Sequence, residues 1–357
     1  MSHIVLTPRD ISQIDTLIHN LMAHFKSVEN PDFLNNAAIY AHQLPQNLRE
    51  NLYHFKLLEK GDGICVVKNI PLDDVQIGPT PPHWRGRNGL PETLYQEIFM
   101  ILCSTLLGES IAWSTQQAGY LVHEVAPIRE YETEQLGFSS QQNLEWHTED
   151  AFHPYRPDYL GLMCFRNPTQ TPTTYCSVDD LDLSHPMYDI LFEPHHTIRP
   201  DESHLEKNRA DEVAMAIGEE VNTQVDYEDI AKMNTAPDKV AVLFGDRRSP
   251  YMRLDPYFMN PAENPQARRA FDALVQQVDN NMKEVVLQPG EMVFLDNYRV
   301  VHGRPPFVAN YDGKDRWLKR INITRDLRKS RDARENAGCR TIQKIGFSHE
   351  RKLVGSF

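Results

Sequence analysis

Apolar residues recur at helical spacing in three places along the chain. Ile11, Ile14, Leu17, Ile18, Leu21, Met22 and Phe25 follow an i, i+3, i+4, i+7 pattern, which predicts a helix with one buried face. Thr7, Pro8 and Asp10 supply its start: a capping hydroxyl, a proline at the first helical position and an acidic first turn. A second helix is predicted from Thr93 to Leu107, stopped by Gly108, and a third through Phe271, Leu274, Val275, Val278 and Met282. Elsewhere the period shortens. Ile64 to Pro71 reads as a short buried strand ended by proline. Val285–Leu287 and Met292–Leu295 read as two strands around the turn Gln288-Pro-Gly-Glu291, and Arg316–Thr324 as an alternating strand. Helices gather early and short strands late, which favours an antiparallel β core decorated by helices over a doubly wound α/β sheet.

No linker divides the 357 residues, so the chain reads as one domain, 1–357, with an N-terminal helical segment over about 8–108. The polar, acidic stretch over about 200–234 reads either as a lid or as a plain surface insertion. Charge narrows the partners. Fifty acidic against 37 basic side chains leave a net charge of −13, which argues against nucleic acid. The five cysteines form no C-x-x-C pair, so reduced thiols in a cytoplasmic protein are expected. Met1 is not followed by a basic and apolar leader, and the apolar stretch Ile98–Leu107 is too short to span a bilayer. The expectation is a protein without a membrane partner; a homodimer is left open.

The candidate chemistry begins at Trp146-His147-Thr148-Glu149. On an extended strand residues i and i+2 point to one side, so His147 and Glu149 can share one ion. Alone the pair is weak, because about two such pairs are expected by chance at this composition. The sequence has two, the other being His204-Leu205-Glu206. His302, following a strand and turn, supplies a second imidazole. Two histidines and one carboxylate leave positions open on the metal, the arrangement of a mononuclear Fe(II) oxygenase that must admit cosubstrate and O₂. Zinc would more often show a closed four-ligand set or a His-Glu-x-x-His helix, and neither is present. Arg316, Leu318 and Arg320 share one face of the predicted strand. Two inward guanidinium groups are costly unless each meets an anion, and a dicarboxylate cosubstrate and an amino-acid carboxylate would supply two. The alternative leaves both arginines solvated at the surface.

The segments Glu145–Phe152, Tyr155–Gly161 and Asp312–Asp326 resemble the clavaminate-synthase-like Fe(II)/2-oxoglutarate-dependent oxygenases, and most of all their viomycin-pathway, arginine-hydroxylating branch. The resemblance implies a double-stranded β-helix (jelly-roll, cupin-like) core flanked by α-helices. It also implies hydroxylation of a free basic amino acid in antibiotic biosynthesis, with 2-oxoglutarate decarboxylated to succinate. Carried over by position, His147, Glu149 and His302 are the iron ligands. Thr174 and Arg316 hold the distal carboxylate of 2-oxoglutarate. Gln116, Glu149 and Arg320 meet the backbone end of the substrate, Asp201 closes over it, and Asp255 meets its cationic side chain. One departure stands out: the arginine-hydroxylating pattern has two aspartates two residues apart, and this sequence has Asp255-Pro256-Tyr257. Lysine, citrulline or a modified arginine therefore stay open beside L-arginine, as does desaturation beside hydroxylation at C3 or C4. Glu149 argues against a halogenase, which would need a small residue there. A metal-free β-fold binding protein, the non-enzyme alternative, should lack a ligand or the Arg316 anchor, and all are present.

Overall fold

Thr7 caps helix α1 (Pro8–His24) through a reciprocal box with Asp10, and Ile14, Leu17, Ile18 and Leu21 are buried along one face. The computed structural model describes residues 1–87, 91–205 and 227–343. Two further helices follow that the sequence reading did not include: α2 (Pro31–Ala41), capped by Asn30, and α3 (Gln46–Leu58). Their buried residues do keep helical spacing, Phe33, Ala37 and Ala41 in α2 and Leu48, Leu52 and Phe55 in α3, and Asn30-Pro31-Asp32 is the same kind of start signal as Thr7-Pro8-x-Asp10. Helix α4 (Leu94–Leu107) is buried along nearly its whole length, because α1, α2 and α3 cover one side of it and the main sheet the other. Gly108 ends it for steric reasons: a Cβ there would lie 2.2 Å from the carbonyl oxygen of Thr324.

That main sheet has eight strands. Its order is β1 (Ser2–Val5), β2 (Ile64–Lys68), β14 (Met292–Asp296), β6 (Tyr159–Arg166), β16 (Trp317–Thr324), β3 (Glu109–Trp113) and β17 (Thr341–Ile342), with β4 (Val122–Val125) also on β16. A second sheet runs β13 (Lys283–Val285), β7 (Thr173–Ser177), β15 (Val300–Arg304) and β5 (Leu144–His147). Ile64, Val66, Leu160, Leu162, Val293 and Leu318 of the first sheet pack against Tyr175, Val285 and Val300 of the second. This is the expected jelly-roll sandwich. Short strands β8 (His196–Ile198), β9 (Lys239–Val240), β10 (Leu243–Asp246), β11 (Ser249–Met252) and β12 (Met259–Asn260), with helices α5 (Tyr227–Thr235) and α6 (Pro265–Asn280), lie outside these two sheets.

The turn expected at Gln288–Glu291 is present, with Gly290 at φ +79 and Glu291 N–H donating to Gln288 O at 2.9 Å. Its strands are not partners, however. The turn carries the chain from one sheet to the other: β13 pairs with β7, and β14 with β2 and β6. The last predicted helix starts earlier than its apolar residues suggest, at Pro265, because Asn264 caps it. Of the stretch over 200–234, residues 206–226 lie outside the described residues, as does Glu206 of the second His-x-Glu pair. All five cysteines are free, and among the described residues no helix is long and apolar enough to cross a membrane.

Candidate active site

β5 ends in His147, β15 carries His302, and the antiparallel register sets the two opposite each other with ring centroids 4.7 Å apart. His147 Nδ1 is held by the carbonyl of Glu145 at 2.8 Å, which turns Nε2 inward. Beyond His147 the backbone is pinned. Thr148 N–H donates to Leu254 O at 2.6 Å, and Asn297 brackets Glu149 by accepting from its N–H (2.8 Å) and donating to its carbonyl (3.0 Å). Glu149 Oε2 then lies 3.6 Å from His147 Nε2 and 3.4 Å from His302 Nε2. Neighbouring donors on an octahedral ion with bonds of about 2.1 Å stand about 3 Å apart, so the set fits one such ion after a small contraction. Burial opposes the charged form of Glu149, but Arg320 and the two imidazoles outweigh it and hold its pKa well below the usual range. Burial also works against a charged His147; Glu149, helped by Asp255, overcomes it and raises the pKa to about 9.

A cleft open to solvent joins this triad to Gln116, Asp201, Asp255, Arg316 and Arg320. Arg316 and Arg320 do point to the same side as Leu318, as alternation predicts, but their surroundings differ. Arg316 is buried, its Nε has no partner, and no carboxylate pairs with it among the described residues. Its guanidinium sits 5.8 Å from the ring of Phe307, and burial pushes its pKa down to about 10. A buried cation without a counter-ion is what a carboxylate-bearing cosubstrate would complete. Arg320 already has its anion: it donates to Glu149, to Gln116 Oε1 (3.2 Å) and to His123 Nδ1 (2.7 Å).

Thr174 is the one expected site residue that the structure moves. His302 pairs with Tyr175 on β7, so the odd-numbered residues of β7 face the cleft, and Thr173 lines it. Thr174 pairs with Gly303 and points to the other face. Asp255 is 6 % exposed; burial, reinforced by Asp201 and Glu149, pushes its pKa up to about 7. Tyr257, standing where the resembled pattern has its second aspartate, is 48 % exposed and lines the same cleft.

The sequence reading missed several residues. Arg304 is buried two positions past His302 and lines the cleft, holding Ser139 Oγ (3.0 Å) and the carbonyls of Pro305 and Gln142. Burial and the nearby Arg316 lower its pKa to about 9. The i, i+2 alternation that paired His147 with Glu149 could have found it. Asp150, Ser203 and His123 also line the cleft, and only the folded contacts identify them.

Comparison with known proteins finds close relatives of the chain. The family described as Taurine catabolism dioxygenase TauD, TfdA family matches residues 102–322. The chain is 43 % identical over 335 residues to an enduracididine beta-hydroxylase of Streptomyces hygroscopicus, covering 93 % of this chain and 97 % of that one. It is 41 % identical over 344 residues to an L-ornithine/L-arginine 3-hydroxylase of Catenulispora acidiphila, covering 96 % and 100 %. The solved structure of the non-heme iron oxygenase OrfP with Fe, succinate and (3S)-hydroxy-L-Arg superposes with a TM-score of 0.87 at 45 % identity, covering 96 % of this chain and all of that one. The same protein with Fe and alpha-ketoglutaric acid gives a TM-score of 0.82 at 43 % identity, covering 95 % and 99 %.

Proposed function

We propose that this chain, which belongs to the TauD/TfdA dioxygenase family, hydroxylates the side chain of free L-arginine at C3 or C4. It is a 2-oxoglutarate-dependent dioxygenase, and His147, Glu149 and His302 are the residues that would hold its iron. Bound iron, with 2-oxoglutarate and O₂, supplies the oxidant that puts one oxygen atom into a C–H bond and the other into succinate. The remaining work falls to the cleft. Arg316 and Thr173 offer a cation and a hydroxyl to the distal carboxylate of the cosubstrate. Arg320, Gln116 and Glu149 present a guanidinium, an amide and a carboxylate to the zwitterionic end of an amino acid. The C–H bonds between that end and the side-chain terminus are thereby brought past the triad.

The observation that carries the substrate is the pair Asp255 and Asp201: both line one cleft, and Asp201 is close enough to add to the cost of ionising the buried Asp255. A guanidinium between them would remove that cost and bind in two-pronged fashion, which favours arginine over the single ammonium of lysine. Tyr257, exposed at the rim of the cleft, favours one second reading, a modified arginine; the S. hygroscopicus relative is named for enduracididine. The test is anaerobic loading with Fe(II) and 2-oxoglutarate, a panel of free amino acids, and mass spectrometry after O₂. Gain of one oxygen atom on L-arginine is expected. Preferred turnover of lysine or citrulline overturns the substrate; loss of two hydrogens overturns hydroxylation in favour of desaturation.

A further inference from the structure

His204 drew attention in the sequence only as half of a chance His-x-Glu pair, and the site as described makes no use of it. In the structure it is wholly buried (0 % exposed) and held from every side. Its Nε2 lies 2.9 Å from Asp150 Oδ1 and its Nδ1 2.7 Å from Thr115 Oγ1. One neutral tautomer satisfies both contacts, with Nε2–H donating to Asp150 and the Thr115 hydroxyl donating to Nδ1. Trp113 and Phe152 meet the ring edge-on, at centroid distances of 5.8 and 4.9 Å. Asp150 follows the ligand Glu149 directly in a left-handed conformation (φ 47), and Thr115 precedes Gln116. The ring therefore ties together the two segments that carry the amino-acid end of the site.

What it ties to them is the turn Asp201–His204. Asp201 caps this turn by accepting from Ser203 N–H (2.7 Å) and Ser203 Oγ (2.5 Å), and Gln116 Nε2 donates to Ser203 Oγ at 2.5 Å. We propose that His204 is a positioning residue that pins the Asp201–His204 turn onto Thr115 and Asp150, fixing Asp201 and Ser203 against Gln116 and the bound amino acid. Asp150, Asp201 and His204 also bring ligand atoms within 4.8 Å of one another. Both imidazole nitrogens are already engaged, however, and the ring is wedged between aromatics, which describes a latch rather than an ion site. The inference rests on the proposed amino-acid substrate.

The test uses His204→Ala and Thr115→Val, the latter nearly isosteric and outside the cleft lining. Three quantities are read: arginine affinity of the metal-free enzyme by calorimetry, the ratio of succinate to hydroxylated product, and 2-oxoglutarate affinity of the iron-loaded enzyme under nitrogen. His204→Ala should weaken arginine about ten-fold or more and release succinate without matching product, while 2-oxoglutarate affinity stays as in the wild type. Thr115→Val should move the first two quantities a few-fold in the same direction. The double variant should match His204→Ala alone, since both changes remove one contact. Unchanged arginine affinity and coupling in Thr115→Val, additive losses in the double variant, or an equal loss of 2-oxoglutarate affinity would each overturn the latch. Should the wild type oxidise a different amino acid, the substrate reading fails by itself, and the same variants are scored on that amino acid.

Discussion

At the scale of single residues, Asp255 gives the sharpest expectation. Burial holds its pKa near 7 in the substrate-free protein, above the ordinary value near 4. A guanidinium binds the ionised form, so arginine uptake must release the proton wherever Asp255 starts protonated. Arginine affinity should be flat above pH 7 and fall by up to about ten-fold per unit below it. Asp255→Asn should bind arginine more weakly at pH 8 and lose that slope; a titration by calorimetry between pH 5.5 and 8.5, values set at about those limits by the shift, distinguishes the two profiles. The candidate triad was legible from residue types and spacing, although β5 ends at His147 and it is the pinning of Thr148 by Leu254 and of Glu149 by Asn297, rather than strand alternation, that sets Glu149 beside the two histidines. Thr174 was not, because which of two adjacent threonines faces inward depends on how β7 registers with β15, a long-range fact that no local pattern records.

At the scale of elements, β7 and β16 show the same parity rule at work. Thr173→Val should weaken 2-oxoglutarate binding about five- to ten-fold by removing a hydroxyl from the cleft. Thr174→Val should leave it within two-fold or so, because its side chain faces away; reversed results would restore the sequence assignment. On β16 and the residue before it, the even numbers turn Arg316, Leu318 and Arg320 to the cleft while Lys319 turns to the helical layer. There Lys319 is wholly buried, with Glu97 Oε1 and Glu124 Oε1 both at 2.6 Å and Thr93 Oγ1 at 3.1 Å. Glu124 also accepts from Trp317 Nε1. Removing the ammonium takes its positive charge away from two buried carboxylates, so Lys319→Met should destabilise by about 3–5 kcal/mol. Urea unfolding reads this directly, and a midpoint equal to the wild type would show that the pair is not needed. Helix α3 was legible in principle, since Leu48, Leu52 and Phe55 stand at helical spacing; α2 was less so, because two of its three buried residues are the small Ala37 and Ala41 and packing on α4 supports it.

At the scale of the whole molecule, the metal and cosubstrate act as ligands of the folded state alone. Fe(II) and 2-oxoglutarate at about a hundred times their dissociation constants should add roughly 2.7 kcal/mol per site to stability under nitrogen. Chelation, or loss of His147, Glu149 or His302, should cancel the shift produced by 2-oxoglutarate; a variant that keeps the full shift retains its metal and removes that residue from the triad. The β-rich second half and its helical covering were readable from where strands and helices fall along the chain. The partition into two sheets was not, because the turn at Gln288–Glu291 looks locally like a hairpin and changes sheets instead.

That partition has a consequence for selectivity. His147 and His302 stand on the four-stranded sheet, while β16 and the residue before it bring Arg320 and Arg316 from the eight-stranded one. On the proposed assignment the metal and the carboxylate grips would be mounted on opposite jaws of a caliper, and the gap between the jaws would select which methylene meets the oxidant. Leu162 and Leu318 fill that gap while also lining the cleft. Trimming either to valine should change the proportion of positional isomers among the products more than the total turnover, a proportion that product NMR reads directly. Regiochemistry would then follow a spacing held by hydrocarbon, adjustable without touching a single polar contact.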